Sequence, residues 1–146
     1  MLFRSGESKM KYISLIHALN LLCNLDTCGD WHCSSLNWKN PSIMESENSL
    51  FGDYGIEKNR TIPEHTGKYN VANHIRAILD LLYIGNFTVA QGMNKDYIVN
   101  DKYDKEIFDK VMLMCDLPHF NKIDKFMTKE YLGKWVEYKK GVKVYV

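Results

Sequence analysis

The segment "YNVANHIRAILDLLYIG" limits what this chain can fold into more than any other. Val71, Ile75, Ile78, Leu79 and Leu82 recur at three- and four-residue spacing, which places them on one stripe of an α-helix. A stripe that apolar has to be covered by other elements. Asn70 stands where a side-chain oxygen can accept a free backbone N–H, and Gly85 stands where a left-handed C-cap belongs. The spacing predicts a helix over 71–84, with Arg76 and Asp80 one turn apart on its opposite side and placed to pair.

Two more helices follow from the same reasoning. "NDKYDKEIFDKVMLMC" predicts one over about 101–116, capped by Asn100 or Asp101. Its stripe is Ile107, Phe108, Val111, Met112 and Cys115, and Leu117-Pro118 stops it. "TKEYLGKWVEYKKG" predicts one over about 128–140, capped by Thr128, facing inward with Tyr131, Leu132, Trp135 and Val136, and ended by Gly141. "NKIDKF" reads as a separate helical turn, "ISLIHALNLLC" as a helix capped by Ser14, and a short helix starts at Asn86 or Thr88. "VKVYV" alternates and reads as a short C-terminal strand. Residues 24–69 carry turn signals at Gly29, Pro41, Gly52, Gly55, Pro63 and Gly67 but no sustained period. The expected fold is therefore mainly α: a single small helical domain with an irregular, aromatic-rich insert. A length of 146 residues suits one domain and buries a core without staples. Residues 1–10 read as a tail outside it.

Net charge is +1, so no global field calls for nucleic acid or acidic lipid. The charge is uneven. Residues 1–120 carry 12 basic against 15 acidic side chains, and residues 121–146 carry 7 against 3. Lys129, Lys134, Lys139 and Lys140, beside Trp135 and Tyr138, could hold phosphates and stack on bases. A solvated helix face with pairs such as Glu130–Lys134 accounts for the same residues. No run of about 18 apolar residues exists, and His17 and Asn20 interrupt the apolar run at 12–23, so neither a membrane span nor a signal peptide is expected. That points to the cytoplasm, where Cys23, Cys28, Cys33 and Cys115 would be reduced, with Cys115 in the core.

The densest chemistry is "CGDWHCSSLNW", residues 28–38. Cys28, His32 and Cys33, with Cys23 upstream, are candidate zinc ligands, but the spacing C-x4-C-x3-H-C forms no standard knuckle, and adjacent His32 and Cys33 usually point apart. The expectation is no metal, no cofactor and no disulfide. His32 with Cys28 or Cys33, oriented by Asp30, would make a nucleophile pair, although such pairs are usually assembled by the fold. The remaining reading is recognition: Trp31, His32, Trp38, Phe51 and Tyr54 offer interface anchors, or else a mini-core that pins the loop, with Trp31 inward and Trp38 outward as one combination. "FGDYG" reads as a turn or a close backbone approach. No phosphate-binding glycine loop occurs.

Over residues 12–95, "ALNLLCNLDTCGDWHCSSLNW", "FGDYGI" and "YNVANHIRAILDLL" resemble small bacterial proteins that accompany nucleotidyltransferase-type toxins in abortive-infection or toxin–antitoxin operons. The resemblance implies an antitoxin-like or accessory protein that neutralises or regulates its partner by contact, and it carries over no catalytic residue. On that reading the contact residues are Trp31, His32, Trp38, Asp53, Tyr54, Asn73 and Arg76, with Arg76 reaching a carboxylate bidentately. A nucleic-acid module built on the C-terminal lysines, and a small Cys/His metalloprotein or hydrolase, are the alternatives.

Overall fold

The computed structural model describes residues 10–25, 36–47 and 49–144. Strand β1 (Lys11–Ile13) leads into helix α1 (Leu15–Leu19). Strands β2 (Ile43–Glu45), β3 (Ile56–Arg60) and β4 (Tyr69–Ala72) precede helix α2 (His74–Ile84). Helices α3 (Phe87–Ala90) and α4 (Met93–Asp96), a 3-10 turn (Asp101–Tyr103), and helices α5 (Asp104–Met112), α6 (Phe120–Tyr131) and α7 (Gly133–Val144) complete the chain. Among the described residues no helix is long and apolar enough to cross a membrane.

The mainly α expectation is corrected here. The four strands form one mixed sheet in the order β2-β1-β4-β3, so the fold is α/β. β1 pairs antiparallel with β2 (Tyr12↔Met44) and parallel with β4 (Ile13↔Val71); β3 pairs antiparallel with β4. The β3–β4 register shifts between Glu57 and Arg60, where Asn59 takes φ 60°, a left-handed conformation that asparagine tolerates. These strands are three to five residues long, too short to develop an alternating signature.

The central helix starts later than its spacing predicts. Val71 and Ala72 end β4, and Asn70 donates to the Lys11 carbonyl of β1 at 3.1 Å. The cap is Asn73, whose Oδ1 accepts from Arg76 N–H at 2.8 Å. Gly85 closes the helix in the left-handed region at φ 86°, as its position predicts. Every residue from His74 to Leu82 is buried, because α2 is packed by α1 and β4 from the first half of the chain and by α3 and α5 from the second.

Arg76 and Asp80 pair at 3.1 Å, but inside the molecule instead of on a polar face. Arg76 is fully buried and has five N–H donors, and each finds an acceptor: Asp80 Oδ1, the carbonyls of Gly52 and Tyr54, Tyr12 Oη and Ser49 Oγ. Asp80 Oδ2 accepts from Tyr12 Oη at 2.8 Å and Ser14 Oγ at 2.7 Å. Ser14 is thus committed to this network and makes no side-chain cap on α1. The network ties β1, the turn at 49–54 and α2 together.

"FGDYG" is the close approach that its glycines suggest. Gly55 has φ 73°, and a Cβ there would lie 2.7 Å from Arg76 Cβ and 3.0 Å from Asn73 Oδ1. Gly55→Ala is expected to cost about 1–3 kcal/mol through overpacking alone, before the strain of its positive φ. Urea denaturation measures this; a loss below about 0.5 kcal/mol would show that the contact relaxes freely.

The C-terminal half departs from its expected boundaries for local reasons. α5 stops at Met112, and the chain tightens through i→i+3 bonds from Leu113, Met114 and Cys115. The tighter turn rotates Met114 into the core and Cys115, expected inside, out to solvent. Thr128 is not a cap; its Oγ1 bonds back to the Asp124 carbonyl at 2.9 Å in the middle of α6, which absorbs the "NKIDKF" turn. The break between α6 and α7 falls at Leu132, with φ 55°, and leaves that residue exposed while Tyr131 and Trp135 point inward. Helix α7 runs through Gly141 to Val144, so residues 142–144 are helical where a C-terminal strand was expected.

Candidate functional site

Among the described residues the expected contact positions do not form one surface. Cys28, Asp30, Trp31, His32 and Cys33 lie outside the described residues. Trp38, expected to face outward, is 1% exposed. Its ring stands edge-on to His17 at 4.8 Å, and its carbonyl accepts from His65 Nε2 at 2.6 Å. For Trp38 the loop-pinning reading holds. Asn73 and Arg76 are also buried, one as the cap of α2 and the other as the hub of the polar network, so neither reaches a partner's carboxylate. Asp53 is exposed on the turn before β3. Tyr54 is half-buried, donates its hydroxyl to Glu106, and has Lys110 Nζ 4.2 Å over its ring; burial first and then the Glu106 carboxylate push its phenol far up.

The C-terminal lysines are mostly engaged. Lys134 pairs with Asp104 at 3.2 Å, Lys139 with Asp124 at 2.5 Å while lying over Trp135, and Lys140 with Glu137 at 3.4 Å. Lys129 differs: it is exposed, forms no ion pair among the described residues, and belongs to another set.

That set lies on α6. Lys122, Lys125 and Lys129 occupy positions i, i+3 and i+7, and Phe126 and Glu130 follow on the same face, so all five border one groove of about 490 Å³ against α3. The opposite wall is Phe87, Thr88 and Gln91. Asn86 holds that wall by capping α3 onto Val89 N–H at 3.3 Å. The rings of Phe87 and Phe126 meet at 5.6 Å, tilted by 37°, and form an apolar part of the groove lining beside the lysines. Glu130 is held away from the lysines: its Oε2 accepts from Gly92 N–H at 3.0 Å and its carbonyl from Asn94. A second hollow of about 340 Å³ continues the groove past Lys122 and Phe87 to His119, Ile84 and Gly85.

Counted by charge, the groove lining carries three lysines and one glutamate, a net of +2. Lysine supplies a compact, hydrated charge with three donors, suited to phosphate oxygens, and the phenyl pair suits a flat ring. Among the described residues no group of three or more His, Cys, Asp or Glu could hold a metal ion. Sequence reasoning missed the Lys122–Lys125–Lys129 row because it placed a helix start at Thr128 and so cut α6 in two.

Comparison of the chain with protein-family models, with curated proteins and with solved structures gave no match.

Proposed function

We propose that this chain is a binding module that holds a single-stranded nucleic acid along the α3–α6 groove. The observation that carries this reading is the row of three lysines on one helix face that form no ion pair among the described residues, set against the Phe87–Phe126 pair. Each ammonium offers a phosphate contact, and a base laid on the phenyl rings gains stacking that does not depend on sequence. This keeps the nucleic-acid alternative but moves it from α7, where carboxylates occupy the lysines, to α6. A nucleotidyltransferase-type toxin as partner now rests on the resemblance alone, since Trp38, the intended anchor, is inside the core.

The test is an anisotropy titration with a fluorescent single-stranded oligonucleotide over a range of salt. Three phosphate contacts to a single strand predict a slope of about −2 in log K against log salt. No binding at low ionic strength, or a slope near zero, would remove the reading.

A further inference from the structure

We propose that α6 and α7 form a strained hairpin that opens at Leu132, so that two copies of this chain exchange α7 and make a swapped dimer. The hinge is one residue long: α6 ends at Tyr131 and α7 begins at Gly133. Antiparallel helices are ordinarily joined by about two to five residues. Leu132 makes the reversal alone, at φ 55° and ψ −131°, a region that glycine enters freely and leucine does not. Elsewhere in the fold a glycine takes this duty, at Gly85 after α2 and at Gly92 before α4. At this turn the glycine stands one place too late. A leucine that is 67% exposed holds the strained position, so little burial offsets the strain.

The sequence across the hinge is written for one helix. At about 100° per residue, Phe120, Ile123, Met127, Tyr131, Trp135 and Tyr138 fall within an arc of about 120°. No proline follows Pro118. Leu132 N–H already donates to the Thr128 carbonyl at 2.8 Å, and Val136 N–H reaches the Leu132 carbonyl at 3.4 Å, so the ladder keeps helical register on both sides of the break. Between them, the N–H groups of Gly133, Lys134 and Trp135 head α7, where a helix offers no acceptor of its own. A joined helix gives them the carbonyls of Lys129, Glu130 and Tyr131. Rotating Leu132 into the right-handed region therefore removes strain and adds hydrogen bonds.

What keeps α7 folded back is its packing. Trp135 has no exposed surface, meets the Phe108 ring at 5.3 Å and donates Nε1–H to Asp124 at 2.8 Å. Tyr138 lies beside Phe108 and donates to Asp109, and Lys139 pairs with Asp124 at 2.5 Å. A monomer with α7 extended loses all of these. A second copy restores them: each α7 lies on α5 and α6 of the other chain, in the same contacts. Trp135 and Lys139, beyond the hinge, meet Asp124, before it, so α7 runs back along α6 and two opened hairpins fit antiparallel about a two-fold axis. The partner is a second copy because the surface that opening uncovers is complementary to this one helix. The groove residues from Phe87 to Glu130 all precede the hinge, so each chain keeps its own α3–α6 groove and the dimer carries two.

Opening requires α7 to undock, so the full chain is held at millimolar concentration in mild urea, returned to buffer, and followed by sedimentation over a dilution series. The wild type should show a dimer. Leu132→Gly leaves the closed turn unstrained and should weaken dimerisation by about a hundredfold, about tenfold for each of the two hinges. Gly133→Ala should strengthen it by about threefold or more, because glycine costs more inside a helix than at its first residue, and a Cβ at Gly133 meets nothing within 4 Å. In a dimer mixed from isotope-labelled and unlabelled chains, nuclear Overhauser contacts between Phe108 and Trp135 should appear between chains. A wild type that stays monomeric, a dimer insensitive to Leu132→Gly, or a Phe108–Trp135 contact found only within one chain overturns the swap.

Discussion

Asp80→Ala is expected to destabilise the protein by about 3–5 kcal/mol, the cost of leaving a buried charge without its partner. Asp80 is the counter-ion of an arginine with no exposed surface, and it also accepts from Tyr12 and Ser14. Removing it strands the Arg76 charge and two hydroxyls at once. Replacing both charged residues together, as Arg76→Met with Asp80→Leu, should cost less than the single change, because no unpaired charge remains. Urea denaturation of the wild type, Arg76→Met, Asp80→Leu and the double variant closes the cycle, with Asp80→Ala measured beside them. A single-variant loss below about 1 kcal/mol would mean that water reaches the pair and that the network is not the internal tie described here.

Trp38→Ala is expected to cost about 3–5 kcal/mol of stability, the range for deleting a large buried aromatic. The indole is 1% exposed, packed on His17, with its backbone carbonyl held by His65. Its loss would open a cavity in the layer that fastens residues 36–42 to α1. The expected result is a lower denaturation midpoint with unchanged oligonucleotide affinity in the fraction that stays folded. Unchanged stability would return Trp38 to the surface.

The helix-forming physics is legible in the sequence where it is local. The stripe of α2, the left-handed cap at Gly85, the Asn86 cap of α3 and the inward faces of Phe108, Val111 and Trp135 all follow from spacing within one element. The sheet is not legible, because Ile13 meets Val71 across most of the N-terminal half of the chain and nothing in "KYI" or "YNVA" alone announces the pairing. Two asparagines compete to cap α2, and the sheet takes Asn70, which decides for Asn73. Arg76 and Asp80 read as a surface pair because charge on a helix usually faces water; their burial depends on Tyr12, Ser14, Ser49 and the carbonyls of a distant turn. His74 likewise meets the Leu21 and Tyr97 carbonyls only through the fold. Lys122, Lys125 and Lys129 were visible as a periodic row, and a threonine at position 128 masked their continuity by looking like a cap.

On the proposed reading α6, not α7, carries the interaction with nucleic acid. Two triple variants decide it: Lys122→Ala/Lys125→Ala/Lys129→Ala on α6, and Lys134→Ala/Lys139→Ala/Lys140→Ala on α7. Both remove three positive charges, so net charge is matched. Affinity for the same single-stranded oligonucleotide is measured at one low salt concentration, with a melting curve on each sample. The α6 variant should lose tenfold or more in affinity, equivalent to about 1.4 kcal/mol or above, while the α7 variant, whose lysines already serve carboxylates, should lose no more than about threefold. An equal loss in both, or a larger loss on α7, would contradict the groove as the binding site.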